Sequence, residues 1–268
     1  MDQRQRNAAG YAHLQRTFPD LDRWNQRSTI TEEPEPRSDL ARDAAATPNL
    51  GLTMNDLIRH SLVSATQHLN LARASIEARQ FFPIGLSTAL RGGLLGASRG
   101  VWVLHSSDPH VRRRRATRIA RETQVRAREW VRETQNGLDP VSRATAEAVA
   151  DEYIAEFDRR MKNWAADPGG DTSMVKEAAE IVFPEGRESG AICALWRQLS
   201  GDAHGLPWTL LTRASTTIEA VDPHPRYASP MIEMTSGNDL YEFADDFTTV
   251  YRILKFGWTL FDQRCAAP

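Results

Sequence analysis

The chain is 268 residues long, 41% apolar, and carries a formal net charge of −2. That length suits one large domain or two small ones, and the apolar share suits a soluble domain with a polar extension. The near-neutral balance excludes a polycation that gathers nucleic acid through its overall field, so any such binding needs a local patch.

Residues 1–50 read as a flexible tail and linker ahead of an all-helical domain over residues 51–268. The opening Met1-Asp2-Gln3-Arg4-Gln5-Arg6 is polar and no apolar core follows, so no signal peptide is expected. Tyr11, Leu14, Phe18, Leu21 and Trp24 have loose helical spacing, interrupted at Pro19. They fit a short helix that docks on the body or on a partner protein. Thr31 to Asp39 is charged and Pro-rich, the composition of a linker.

Thr53 and Asp56 form a capping-box signal, and Leu62, Ala65, Leu69, Ala72 and Ile76 then make one apolar face. Pro83 opens a second helix to about His105 that is apolar nearly all round, as a buried central helix should be. Gly92, Gly96 and Gly100 recur every four residues and would admit a neighbouring helix closely. Arg91 and Arg99 within it are each costly at mid-bilayer, so no membrane span is expected.

Asp108-Pro109 opens a third helix to about Thr134, with Ala116, Ala120, Thr123, Ala127 and Trp130 on its apolar face. Its opposite face carries a stripe of Arg114, Arg118, Arg121, Arg128 and Arg132. This stripe is a candidate RNA-phosphate track, which would make binding strongly salt-dependent. The plainer reading is a solvated face with its own ion pairs, since Glu122 precedes Arg126 by four and Glu129 precedes Arg132 by three.

Asp139-Pro140 opens a fourth helix, with Val149, Tyr153, Phe157 and Trp164 toward the core, stopping at Asp167-Pro168-Gly169-Gly170. A shorter helix follows Asp171 and ends near Phe183-Pro184; another begins around Glu188; a further short one follows Pro207. Residues 221–230 are Pro-rich and read as a loop. Ser236 to Asp239 is another capping signal, and Leu240, Phe243, Phe247, Val250, Tyr251, Leu254, Trp258 and Phe261 carry the strongest helical periodicity of the chain. No hairpin signal or repeat is found. The expected fold is all-α, a multi-helix up-and-down bundle with an extended N-terminal tail.

The segment Leu195-Trp196-Arg197-Gln198-Leu199-Ser200-Gly201-Asp202-Ala203-His204-Gly205 concentrates the chemistry. An arginine holds a phosphate by two parallel hydrogen bonds, and a histidine moves a proton near neutral pH. Seven positions apart on a helix, Arg197 and His204 share a face. Ser200-Gly201-Asp202 reads as a helix break, which would place His204 in the first turn of a new helix, with anion-binding amides beside it. Asp202 or Ser200 would then cap that helix or orient His204. The alternative is structural: Arg197 in a salt bridge and His204 filling a tight loop. Trp196, Trp208 and Tyr227 flank the segment; stacking on a base is one role, and core packing is the plainer one for Trp196.

Arg-x6-His after an apolar helix in an all-helical domain resembles the HEPN superfamily, marked by Arg-x(4–6)-His with a polar residue after the arginine, here Gln198. The run Trp196 to Gly205, with Leu90-Arg91 to Leu104 and the Arg-rich helix upstream, is similar to a poorly characterised actinobacterial helical branch of that superfamily. In that branch an acid often follows shortly after the arginine matching Arg91, whereas this chain reads Gly92-Gly93-Leu94-Leu95. The resemblance implies a homodimer with two Arg/His pairs at a shared cleft. It also implies a metal-independent endoribonuclease or RNA-binding protein of a bacterial defence (phage defence) or toxin–antitoxin system.

No metal or cofactor is expected. His60 and His68 lie two turns apart, too far for an i, i+4 pair, and no His-Glu-x-x-His, P-loop or dinucleotide fingerprint is present. The two cysteines, Cys193 and Cys265, lack metal-ligand spacing and fit a reduced, cytoplasmic protein. The second reading of the whole chain is a non-catalytic protein–protein interaction module in which Arg197 and His204 are structural.

Overall fold

Among the described residues, eight of the ten α-helices begin at a side-chain cap or a proline in the first turn, and the other two follow Gly170 and Gly186. The computed structural model describes residues 2–47, 52–134, 139–162, 164, 170–213, 216–221, 231–236 and 239–268. Its helices are α1 (Gln3–Gln15), α2 (Phe18–Arg27), α3 (Asp39–Ala46), α4 (Met54–Glu77) and α5 (Pro83–Leu104). They continue as α6 (Pro109–Glu133), α7 (Pro140–Met161), α8 (Asp171–Val182), α9 (Arg187–Ala203) and α10 (Leu240–Cys265). Thr53 caps α4 by accepting from the Asp56 amide at 3.0 Å. Pro83, Pro109 and Pro140 each stand at the first position of their helix, where a missing N–H costs nothing. Asp239, rather than Ser236, caps α10 through the amides of Tyr241 and Glu242.

The expected central helix is α5, packed by α4 and α10 and flanked by α6, α8 and α9. Its glycine face admits α4 at near-backbone distance: a Cβ on Gly96 would stand 2.6 Å from the Ser61 carbonyl oxygen. α10 packs along it and buries Phe247, Val250, Leu254, Trp258 and Phe261 in the common core.

Residues 3–46 are not a flexible tail. They form three helices whose Leu14, Leu21, Trp24 and Leu40 are buried in the common core. The Trp24 ring stacks on Trp258 at 6.4 Å, and the Tyr251 hydroxyl donates to Asp20. Arg6 pairs with Asp239, and the Leu240 amide donates to Asn7, which clamps α1 to the start of α10. In α3 the fully buried Asp43 carboxylate accepts from Arg112 Nε at 2.7 Å and Arg113 Nε at 2.8 Å. The sparse apolar residues of this segment suffice because α4 and α10 supply the groove that encloses them.

α7 meets α6 as a two-helix arm. Ala150, Ile154 and Phe157 face inward while Val149 is exposed and Tyr153 and Trp164 are half-buried, so the expected core face of α7 is rotated by about one position. On α6 the apolar face ends after Ala120: Thr123, Ala127 and Trp130 are exposed and Val131 is buried.

A further departure from the sequence reading is a small antiparallel ladder between β1 (Thr216–Val221) and β2 (Met231–Ser236), with Thr216 opposite Ser236 and Val221 opposite Met231. Its β-branched residues favour extended backbone, and six residues are too few for a clear alternation. The Pro-rich 222–230 segment and the stop at 167–169 lie outside the described residues.

Candidate functional site

α9 sets the site. Ile192, Leu195, Trp196 and Leu199 are buried against the bundle, which leaves Arg197 on the outer side. The helix runs unbroken through Ser200-Gly201-Asp202 to Ala203. Glycine inside a helix costs about 1 kcal/mol relative to alanine, and here it is offset by packing. The 3-10 turn Pro207–Thr212 folds back onto α9, and a Cβ on Gly201 would lie 2.5 Å from Thr209 and 2.8 Å from Trp208.

His204 is therefore the C-cap of α9, not the start of a new helix. The chain leaves through a Schellman turn: Gly205 takes φ 67°, its amide donates to the Asp202 carbonyl, and Leu206 donates to that of Gly201. Backbone carbonyls, not amides, end the helix here, so the expected helix-terminus anion cradle is absent at His204.

The continuous helix brings Arg197 and His204 onto one face, two turns apart and about 10 Å along the axis. Both side chains are exposed, and neither makes a hydrogen bond or ion pair among the described residues. Among the described residues Arg197 therefore lacks the salt bridge of the structural alternative, while His204 does sit in a tight turn.

The supporting residues sort differently from expectation. Asp202 does not orient His204: its carboxylate is buried and accepts from Arg213 at 2.8 Å. The Ser200 hydroxyl accepts from Arg91 Nε at 3.1 Å, and the Arg91 guanidinium lies 4.9 Å from the Trp196 ring centroid. Arg91, which has no acid after it in sequence, thus finds its partner on α9. Trp196 is buried and its indole donates to Thr172, so it packs rather than stacks on a base. Trp208 is 43% exposed, with Leu206 and Leu211 exposed beside it, just past His204. Tyr227 lies outside the described residues.

Gln198 turns to the other side, into a small cleft with Arg213, Glu242 and Asp246. Burial, then the charges of Glu242 and Asp245, push the Asp246 carboxyl up to about 7, with Asp202 adding to the rise and Arg213 opposing it. The sequence reading missed this group. Its signal was the acidic run Glu242, Asp245 and Asp246 on one side of a helix, where like charges at i, i+3 and i+4 repel.

The arginine stripe is occupied. Arg121 pairs with Asp158 at 2.6 Å, Arg128 with Asp151 at 2.6 Å and Arg132 with Glu147 at 3.2 Å. The partners ascend one helix as they descend the other, so these three arginines line the seam of the antiparallel α6–α7 arm. Arg118 lies 5.9 Å from the Trp102 ring centroid, and Arg114 is likewise engaged. Arg121, Arg128 and Arg132 thus form an interhelical ion-pair ladder, the plainer reading of this face, because α7 presents acids at the same spacing.

Among the described residues no group of three or more His, Cys, Asp or Glu is placed to hold a metal ion, and no helix is long and apolar enough to cross a membrane. No family model, curated protein or solved structure matches the chain.

Proposed function

We propose that the chain is a HEPN-like protein that binds and cleaves RNA without a metal, through Arg197 and His204. One observation carries this reading: Arg197 on α9 and His204 at its C-cap stand exposed on one face, with no side-chain partner among the described residues. In the proposed reaction a neutral His204 takes the proton of a ribose 2′-OH. The 2′ oxygen bonds to the adjacent phosphorus, and the bond to the 5′ oxygen breaks. The leaving oxygen takes a proton from an imidazolium, and the products are a 2′,3′-cyclic phosphate and a 5′-OH. Arg197 stabilises the charge that builds on the phosphorane oxygens.

The setting that fits is a cytoplasmic bacterial defence or toxin–antitoxin system. A homodimer would bring a second Arg/His pair to the scissile bond, and the exposed Leu206, Trp208 and Leu211 adjoin His204 where a second copy would dock. The reading does not rest on the arginine stripe, of which Arg121, Arg128 and Arg132 pair with acids of α7.

The test is incubation of purified protein and its His204→Ala variant with single-stranded RNA in EDTA. Cleavage yielding cyclic-phosphate ends in the parent alone supports the proposal. Cleavage that persists in the variant, or is absent from both, overturns the enzymatic reading. In that case the exposed Leu206–Trp208–Leu211 patch favours the second reading, a protein–protein interaction module.

A further inference from the structure

Away from α9, a cleft of about 840 Å³ opens between α1, the C-terminal end of α4 and the start of α10. Pockets that enclose small organic ligands run roughly 300–1,000 Å³. Its floor is Tyr11, Ile76, Phe81 and Leu240, and Arg4 and Arg79 stand at its polar edge. Both arginines are exposed, and neither has an ion-pair or hydrogen-bond partner for its side chain among the described residues. The one carboxylate on the lining, Glu77, is held by Arg73 at 3.2 Å.

The backbone adds an independent observation. α4 ends in a Schellman turn: the Gln80 amide donates to the Ser75 carbonyl and the Arg79 amide to that of Ile76, both at 2.9 Å. Arg79 thus holds the left-handed position, at φ 57°. α9 ends in the same turn and places Gly205 there. Glycine is the usual occupant because a Cβ opposes that conformation. An arginine in its place strains the backbone and delivers a free guanidinium to the rim of an apolar cleft. Strained positions that persist cluster where a side chain acts on a ligand.

We propose that this cleft binds a small amphipathic organic anion, an acyl or aryl body on the apolar floor with its negatively charged head on Arg79 and Arg4. The two guanidiniums supply the charge and the forked donors that a carboxylate or phosphate head accepts. The proposal is independent of the chemistry at Arg197 and His204.

Calorimetric titration of the full chain with decanoate, decanol and inorganic phosphate tests it. Decanoate should bind one to one, decanol at least tenfold more weakly, and phosphate alone more weakly still. Arg79→Gly should weaken decanoate at least fivefold while the melting temperature stays level or rises, since glycine relieves the turn. Ala8→Trp, on the α1 wall, should abolish binding of both apolar probes. The proposal is overturned if decanoate does not bind, if decanol or phosphate matches it, or if Arg79→Gly leaves its affinity unchanged.

Discussion

Asp43→Ala removes the acceptor at the centre of the contact between α3 and the α5–α6 corner. The Asp43 carboxylate is 0% exposed and Arg112 is 2% exposed, so the substitution strands a guanidinium away from water. Breaking a buried pair from one side costs about 3–5 kcal/mol. Arg112 retains the carbonyls of Ser106 at 2.9 Å and Ser107 at 3.0 Å, which places the loss at the lower end, about 3 kcal/mol. For a chain of this size that corresponds to a melting temperature lower by about 6–12 °C. Urea unfolding followed by circular dichroism, with a thermal scan alongside, measures both quantities. A matched apolar replacement, Asp43→Leu with Arg112→Met, should recover much of the loss, because it removes the charge cost together with the attraction. A loss under about 1 kcal/mol for Asp43→Ala, the value of an exposed pair, would refute the burial of α3 and return residues 1–47 to the status of a peripheral tail.

Asp246→Asn probes the cleft beside Gln198. The folded Asp246 carboxyl titrates at about 7 against an ordinary 3.8, so the folded chain holds a proton that the unfolded chain releases. That contribution is full below the unfolded value and is lost as pH rises toward 7. A fully enclosed group would account for roughly 4 kcal/mol across this window. Asp246 keeps partial contact with water, so we expect Asn to gain about 1–2 kcal/mol above pH 7 and none in strong acid. Denaturant midpoints that show the same pH slope in parent and variant would contradict it. In the α6–α7 arm, Arg128→Glu sets a like charge against Asp151. It should speed amide exchange across α7 several-fold, less so at about 1 M salt, where exposed charges are screened; exchange unchanged by the substitution would remove the ladder as the arm's organiser.

The segment Leu195–Gly205 shows how far the site could be read in advance. Arg197 and His204 share a face because seven residues nearly complete two helical turns, a property of the chain alone. Their exposure, and the engagement of Asp202 by Arg213 and Ser200 by Arg91, depend on residues 11 and 109 positions away. Asp246 escaped notice because a raised carboxyl pKa depends on enclosure, which no spacing reports.

Local chemistry by itself determined where the long helices begin and which of them is central. A hydroxyl cap at Thr53, prolines at 83, 109 and 140 and the all-round apolar surface of α5 each act within a turn or two of the backbone. Tertiary structure alone decided what each charged or sparsely apolar face would meet. It turned the arginines of α6 onto the acids of α7, drew α1–α3 into the groove of α4 and α10, and kept α9 helical through Gly201 by laying Trp208 and Thr209 over it. The physical reason is that a helix start is settled by neighbours in the chain. The partner of a guanidinium, and the burial of a lone tryptophan, are settled by whichever surface folding brings within a few ångströms.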